Sequence, residues 1–415
     1  MPDSVAENPK AAYRFGPGLL VTAAFIGPGT VVTASKAGAG FSCELLWTIL
    51  FASIGAIILQ LLAARLGIVT KSGLGSAIRQ SVATSAWLIP VTLLVVAAIG
   101  VGNAAYQTGN LTGAASGIQS IAGGSTNMWV VIIAVVTAGL LLIGRYKVLQ
   151  SVLIGLVLLL SVSFLGAAIV RLPPAGQILA GLLIPRVSIE SLTLVVALIG
   201  TTIVPYNLFL HSSAAADCWR DVEVADALRQ SRWDTVASIA LGGFVTAAIL
   251  VTASAAFADS TDGLAGTTDI ADQLRPALGD FAGLAFALGL FAAGITSSIT
   301  APLATGYAVC GILGWKPDTS SPRFRAITLA VLLIGALFAI RFGKSPVQTI
   351  VFSQLANGIL LPVIALFLIV IVTRQVNPTM RQGKLALAAG WMVVIAVSAL
   401  GIWRIYATIQ SLLAT

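Results

Sequence analysis

The chain has 415 residues, of which 58% are hydrophobic and only 9% are charged. Soluble domains carry about 25% charged residues, so this composition excludes an ordinary soluble domain. The three cysteines lack the spacing of a metal site, and no nucleophile–base set is visible, which argues against an enzyme. No cofactor is expected.

Long apolar segments recur along the chain, each near the roughly 20 residues that a helix needs to cross a bilayer. Because the hydrocarbon offers no water to unpaired backbone groups, such segments must be helical. The sequence therefore predicts an all-α protein embedded in a lipid bilayer. Its eleven predicted spans are residues 16–41, 44–68, 84–121, 127–144, 149–171, 189–214, 233–258, 276–313, 324–342, 348–373 and 385–409.

The net charge of +8 is explained by membrane orientation better than by nucleic-acid binding. If the N-terminus is cytoplasmic, the segments on that side hold sixteen Lys and Arg residues, against six on the other side. This bias orients helical membrane proteins. It predicts a multi-pass protein of the cell inner membrane, with a cytoplasmic tail at residues 1–15 and the C-terminus outside.

Two spans contain residues that break helices. The first has Gly-Pro-Gly at residues 27–29, and the sixth has Val-Pro-Tyr-Asn at residues 204–207. Glycine costs about 1 kcal/mol and proline about 3 kcal/mol inside a helix, so both spans should unwind there. Simple proline kinks are the alternative, but each break opens a set of five spans. That match indicates an inverted-repeat transporter with its site at the membrane midplane.

The predicted transmembrane domain covers residues 16–409. Its first repeat is residues 16–171 and its second repeat is residues 189–373. An extra helix, residues 385–409, follows the two repeats.

Residues 27–47, GPGTVVTASKAGAGFSCELLW, resemble the first helix of the NRAMP (natural resistance-associated macrophage protein) divalent-metal transporters, whose signature there is DPGN. Residues 204–213, VPYNLFLHSS, resemble the family's sixth-helix MPHNLxLHS. The resemblance implies a LeuT-type fold of 5+5 helices plus an eleventh, with helices 1 and 6 broken. It also implies a secondary transporter that moves a small ion by alternating access.

The positions that bind metal in the family differ in this chain. Gly27 stands where the family has its metal-binding aspartate, and Thr30 replaces the asparagine of DPGN. Val204 replaces the family's methionine, and Tyr206 replaces its histidine. The sequence therefore predicts that the transition-metal site is lost.

The transport pathway is also altered in the third span. The resemblance places Gln107 and Asn110 where the family carries acidic residues for proton transfer. His211, the only histidine, lies one turn after the second break. A histidine there is more often a hydrogen-bonded helix residue than a proton relay. These three residues are predicted members of a pathway without a carboxylate.

The candidate substrate-binding residues lie at the two breaks and just after them. They are Gly27, Pro28, Gly29, Thr30, Thr33, Lys36, Thr201, Val204, Pro205, Tyr206 and Asn207. All fifteen acidic residues are expected in loops or at span ends, so no metal site is predicted. A cation inside a span costs about 3 kcal/mol, which favours a functional Lys36, although its ammonium could also snorkel to the interface.

The half-helices that follow the breaks expose unpaired N–H groups and the positive end of a helix dipole. With Lys36 present and no carboxylate nearby, this electrostatic field favours a small anion such as bicarbonate. The alternative is a divalent cation, magnesium or manganese, held together with its water shell. A sensor or channel is a third class. The short loops disfavour a sensor, and a neutral site at interrupted helices favours alternating access over an open channel. The sequence does not identify a coupling cation.

Overall fold

The computed structural model describes residues 16–144, 147–258, 266–374 and 383–413. The predicted N-terminal tail, residues 1–15, lies outside the described residues. Every regular element in the described ranges is helical, which confirms the all-α prediction.

Seventeen α-helices lie within the described residues. The first eight are α1 (Pro17–Phe25), α2 (Pro28–Phe41), α3 (Leu46–Thr70), α4 (Leu74–Val82), α5 (Leu88–Ala122), α6 (Thr126–Ile143), α7 (Lys147–Val170) and α8 (Ala175–Leu183). The others are α9 (Ile189–Thr202), α10 (Pro205–Cys218), α11 (Val224–Ala256), α12 (Thr267–Asp272), α13 (Arg275–Leu278), α14 (Ala282–Leu313), α15 (Pro322–Phe342), α16 (Pro346–Arg374) and α17 (Lys384–Leu413).

Ten helical segments of the described chain are long and apolar enough to cross a membrane. The segment at residues 189–218 counts as one of them, although it is interrupted between α9 and α10. The first predicted span, residues 16–41, is the one missing from this set, because it is divided into α1, with 9 residues, and α2, with 14 residues. Neither half alone is long enough to span a bilayer.

Both interruptions are shorter than predicted, and both lie just before the proline. Helix α1 ends at Phe25 and α2 begins at Pro28, so Gly29 is helical rather than unwound. Likewise Ile203 and Val204 separate α9 from α10, which begins at Pro205. The reason is that proline has no N–H to lose at the first position of a helix and its fixed φ suits that position.

The broken helices lie in the middle of the bundle. Helix α2 packs against α5, α9, α11 and α16, while α10 packs against α1, α3 and α14. The helix halves α2, α9 and α10 carry few Lys, Arg, His, Asp or Glu side chains; they are Lys36, Glu190, His211 and Asp217. The packing places both interruptions beside each other and away from the lipid-facing surface.

The short helices α12 and α13 form part of a region predicted as a polar loop. Ile270, Gln273 and Leu274 are fully buried there. The side chain of Gln273 donates from Nε2 to Ser35 Oγ on α2, at 2.8 Å. This segment therefore covers the half of α2 that lies beyond the break.

Candidate functional site

The two interruptions contact each other directly. Thr30 Oγ1 lies 2.7 Å from Thr201 Oγ1, and it also hydrogen-bonds to the carbonyl oxygen of Phe25. Thr30 and Thr201 are fully buried. Two of the predicted site residues are therefore brought together from sequence positions 171 residues apart.

The carbonyl oxygen of Ala24 is the centre of a second group of contacts at the first break. Tyr106 OH donates to it at 3.2 Å, and Tyr206 OH and Ser297 Oγ lie at a longer 3.5 Å. The rings of Tyr106 and Tyr206 pack edge to face, with centroids 5.4 Å apart. Hydroxyl groups from α5, α10 and α14 thus surround one carbonyl at the end of α1.

The N–H groups at the starts of α2 and α10 lack a capping side chain at the N-cap position. Gly27 caps α2 and Val204 caps α10, and neither helix start has a capping hydrogen bond from its N-cap side chain. The first turns of a helix carry unpaired N–H groups and a partial positive charge. Carbonyl groups of α1 are satisfied by hydroxyls, whereas the N-terminal ends of α2 and α10 are not capped by a side chain.

The walls of the site come from small residues and an amide. A Cβ placed on Gly27 would lie 2.7 Å from Ser297 Oγ. A Cβ on Gly29 would overlap the side-chain amide of Gln354 on α16. Gln354 is fully buried and its Oε1 has no hydrogen-bond partner, so this residue belongs to the site although no sequence pattern indicated it.

The remaining predicted binding residues are less uniform in their surroundings. Asn207 donates from Nδ2 to Val21 O at 3.5 Å, and its Oδ1 is buried without a partner. Thr33 is also fully buried with an unpaired hydroxyl oxygen. Val204 presents a fully buried apolar side chain. Pro28 and Pro205 start their helices and carry no polar side-chain contact.

Lys36 lies on α2 beyond this centre and is partly exposed. It follows Gly29 by seven residues, which is about two helical turns, so the two residues share a face about 10 Å apart along the axis. No hydrogen bond or ion pair joins Lys36 to another described residue.

The three predicted pathway residues make buried local contacts, but Asn110 Oδ1 and His211 Nε2 have no hydrogen-bond partner. Gln107 donates to Ser298 O at 3.3 Å, and Asn110 donates to Gln107 Oε1 at 3.3 Å. His211 Nδ1 lies 2.9 Å from Gln60 Oε1 on α3. Both arrangements are buried, and they link α5 with α14 and α10 with α3.

Asp234, predicted at the start of the seventh span, lies within a longer helix than the sequence predicted. Helix α11 begins at Val224 rather than at residue 233, so Asp234 lies inside the helix and is only 5% exposed. Its two oxygens accept hydrogen bonds from Gly16 N at 2.8 Å and Gly18 N at 2.6 Å. The carboxylate therefore caps the start of α1 and fixes it against α11.

The architecture and the buried site define a class of protein, a multi-pass membrane transporter with two interrupted helices at its centre. A family model described as "Natural resistance-associated macrophage protein-like" matches residues 18–407. The chain belongs to the Nramp family, as its two motifs predicted. It is accordingly a membrane transporter of the secondary type.

Solved structures of transporters share the fold. A manganese transporter of Eremococcus coleocola, bound to an aromatic bis-isothiourea compound, has 23% identity and a TM-score of 0.75 over 98% of this chain and 88% of that chain. MhsT in complex with L-phenylalanine has 14% identity and a TM-score of 0.66 over 96% and 98% of the two chains. Mhp1 with bromovinylhydantoin has 16% identity and a TM-score of 0.54 over 96% and 92%. These similarities confirm the LeuT-type architecture.

Proposed function

We propose that this chain is a secondary transporter of a small inorganic anion, with bicarbonate as the best candidate, and that it works by alternating access. The observation that carries the proposal is the polarity of the two breaks. The starts of α2 and α10 have no capping bond from their N-cap side chains, while the Ala24 carbonyl is surrounded by hydroxyl donors. Helix N-termini of this kind bind anions through N–H groups and the helix dipole.

The same arrangement disfavours a dehydrated divalent cation. Such a cation needs several oxygen ligands, usually including carboxylates, or sulfur and imidazole for softer metals. No group of three or more His, Cys, Asp or Glu residues that could hold a metal occurs in the part of the chain that the structure describes. In addition, the hydroxyls of Tyr106, Tyr206 and Ser297 already occupy the surroundings of the Ala24 carbonyl.

Bicarbonate suits the site because it carries both acceptor oxygens and one hydroxyl donor. The N–H groups at the starts of α2 and α10 would bind its charged oxygens. The unpaired amide oxygens of Asn207 and Gln354 would accept a hydrogen bond from its hydroxyl group. Chloride and nitrate can use only the N–H groups, so the unpaired oxygens favour an anion that also donates.

Lys36 supplies the positive charge. Because α2 is surrounded by α5, α9, α11 and α16, partial exposure of Lys36 is best explained by a polar cleft inside the bundle. A cation there raises the local concentration of anions and stabilises them as they lose water. If the N-terminus is cytoplasmic, as predicted, this cleft lies on the outer side of the cell inner membrane.

The second candidate is a divalent cation such as magnesium, bound with its water shell. It is favoured by the buried oxygens of Asn207, Gln354 and Thr33 that lack partners, because these atoms can accept hydrogen bonds from metal-bound water. The solved Eremococcus relative is a manganese transporter by name. Manganese itself is disfavoured here because Gly27 and Val204 offer it neither a carboxylate nor a thioether.

Flux into proteoliposomes separates the two candidates. Radiolabelled bicarbonate should enter vesicles that contain the protein, while manganese and magnesium should not exceed the rate in empty vesicles. Magnesium uptake without bicarbonate uptake would establish the second candidate instead. Tight manganese binding by the unmodified protein, measured by calorimetry, would refute the loss of the metal site.

A restored metal site provides the converse test. Gly27→Asp with Val204→Met returns the two ligands of the resembled family, and Ser297→Ala makes room for the new Cβ, which would otherwise lie 2.7 Å from Ser297 Oγ. The triple variant should gain manganese binding and lose bicarbonate uptake. Ser297→Ala alone is the matched control and should gain no metal binding.

The division into two repeats, residues 16–171 and 189–373, and a following helix, residues 385–409, is part of the same proposal. It is supported by the equivalent positions of the two interruptions at the start of each set of five spans. Impermeant thiol labelling of single cysteines placed before residue 16 and after residue 409 would test the orientation. Labelling of both from the same side would contradict eleven spans.

A further inference from the structure

A large apolar groove lies on the bundle surface between α5, α15 and α16. Its volume is about 850 Å³. Most of its wall is aliphatic or aromatic, and it includes Val101, Ala104, Phe338, Phe342 and Phe352. Val101, Phe338 and Phe352 have large exposed surfaces there.

The groove runs from one end of these helices toward the middle of the bundle. Along α16 it extends from Gln348 to Ala356, and eight residues of helix correspond to about 12 Å. The hydrocarbon core of a bilayer is about 30 Å thick, so the groove covers a large part of one leaflet. Its length and apolar wall suit one acyl chain.

Positive charge is placed at the mouth of the groove. Helix α15 ends at Phe342, and Thr349 Oγ1 at the start of α16 donates to Phe342 O at 2.8 Å, which holds the two helix ends together. Arg341 and Lys344 are exposed beside this junction. The Arg341 guanidinium lies 5.3 Å from the centre of the Phe342 ring.

No acidic residue opposes these two cations within the groove helices. The sequence has no Asp or Glu in residues 88–122, nor anywhere from residue 319 to residue 415. Arg341 and Lys344 form no ion pair with another residue in the described ranges. The mouth therefore has an unbalanced positive charge directly above an apolar channel.

We propose that this groove binds one anionic phospholipid, with an acyl chain between α5, α15 and α16 and the phosphate group at Arg341 and Lys344. The floor of the groove includes Thr108 and Ser353, the chain neighbours of Gln107 and Gln354. The bound chain thus packs behind the helices that form the substrate site. This lipid site is independent of which ion the protein transports.

Two variants test the site from its two ends. Arg341→Gln with Lys344→Gln removes the charge at the mouth. Gly100→Leu adds bulk to the groove, because Gly100 lines it and a Cβ at this position has no atom within 4 Å. Two matched controls are Arg171→Gln, another exposed cation, and Gly155→Leu, another helix glycine with no atom within 4 Å.

Native mass spectrometry of the purified protein with added phosphatidylglycerol or phosphatidylcholine measures the bound lipid. The unmodified protein should retain one phosphatidylglycerol under detergent conditions that remove phosphatidylcholine. The double Gln variant should weaken phosphatidylglycerol binding by about 30-fold, the effect of two cations near a phospholipid surface. Gly100→Leu should weaken the binding of both lipids, whereas both controls should bind like the unmodified protein.

The proposal fails if the double Gln variant and Gly100→Leu retain phosphatidylglycerol as the unmodified protein does. It fails equally if Gly155→Leu loses as much lipid as Gly100→Leu, because the lipid would then belong to the general annulus around the bundle. Melting temperatures of all variants in detergent, within a few degrees of the unmodified protein, exclude loss of lipid through unfolding.

Discussion

The two broken helices begin their second halves alike, with a proline, but they are held in the bundle by different kinds of contact. At the first break, hydroxyls and the Gln354 side chain meet backbone carbonyls and glycine. At the second break, Ile203 and Val204 form a fully buried apolar pair.

Helix α16 shows the difference most directly, because both broken helices approach it at Gln354. A Cβ on Gly29 of α2 would overlap the Gln354 side chain, whereas a Cβ on Gly200 of α9 would overlap its backbone oxygen and the Gly358 nitrogen. A side chain can rotate away and a helix backbone cannot. At α16, therefore, the first broken helix meets a side chain that can yield, whereas the second meets backbone that cannot.

The largest expected effect tests the contact of α9 with α16. Gly200→Ala should lower stability by about 3 kcal/mol, the upper range for overpacking, because the added methyl group meets only backbone. Gly29→Ala should cost less than about 1 kcal/mol, since the Gln354 side chain can move, but it should reduce uptake. Thermal unfolding in detergent measures both changes.

Gly155→Ala is the control for these two substitutions. A Cβ at Gly155 has no atom within 4 Å, so this change should be neutral or stabilise the helix by up to about 1 kcal/mol. If Gly200→Ala melted at the same temperature as the unmodified protein, α9 would not be fixed against α16, and the comparison would collapse.

The next effect concerns Lys36 on α2, the second half of the first broken helix. A unit charge about 8 Å from the substrate, at an effective dielectric constant of about 20, contributes roughly 2 kcal/mol. Lys36→Gln should therefore weaken apparent anion affinity by about 30-fold in proteoliposome uptake. Lys36→Arg keeps the charge and should retain most of the uptake, although its guanidinium is bulkier.

Unchanged uptake by Lys36→Gln, at normal expression, would place the ammonium in the headgroup region. It would also remove Lys36 from the site and strengthen the divalent-cation alternative.

A smaller effect is expected at α1, the first half of the first broken helix. Asp234→Asn replaces a carboxylate that accepts bonds from Gly16 N and Gly18 N with an amide that has a single acceptor oxygen. Losing one charged hydrogen bond, about 1.5 kcal/mol, should shift α1 about tenfold toward release from α11. A thiol reagent should then label Thr22→Cys faster, in a Cys218→Ser background that removes the exposed native cysteine.

Asp226→Asn is the control, because Asp226 lies on the same helix but pairs with Arg229 at the surface. It should leave the labelling rate unchanged. If Thr22→Cys were labelled equally fast with and without the Asp234→Asn change, another contact would be holding α1 closed.

The smallest effects should rank the hydroxyls around Ala24. Tyr106→Phe removes the 3.2 Å bond and should lower stability by about 1 kcal/mol. Tyr206→Phe removes only a 3.5 Å contact and should cost roughly half as much. Chemical unfolding of both variants measures the order, and a larger loss for Tyr206→Phe would assign the main support of the first break to the second broken helix.

The positions of both breaks could be predicted from sequence to within two residues, because Gly-Pro-Gly and Val-Pro-Tyr-Asn have a local cost in any helix. The repeat pattern predicted a single site formed by both breaks, but it did not predict that Thr30 would contact Thr201. The exact bounds were wrong because proline starts a helix as readily as it ends one, and the choice depends on what precedes it.

The parts that could not be predicted are those that depend on tertiary packing. A free backbone carbonyl such as that of Ala24 has no sequence signature, and neither do the hydroxyls that meet it. The early start of α11 at Val224, which places Asp234 inside the helix, was missed because residues 224–232 are too polar for a span predicted from hydropathy. The buried segment around Gln273 was predicted as a polar loop because the surrounding stretch contains several acidic residues.

The absence of charge around the breaks has an electrical consequence. Residues 17–35 and 191–210 contain no Asp, Glu, Lys, Arg or His. A charge that crosses the whole membrane potential changes in energy by about 2.3 kcal/mol per 100 mV. The segments that form the breaks therefore carry no side-chain charge through the membrane field, and Lys36 is the first charge beyond the first break. If the substrate is an anion, its entry into a cell with a negative interior runs uphill, so accumulation would require coupling to a second ion, either a cotransported cation or an exchanged anion.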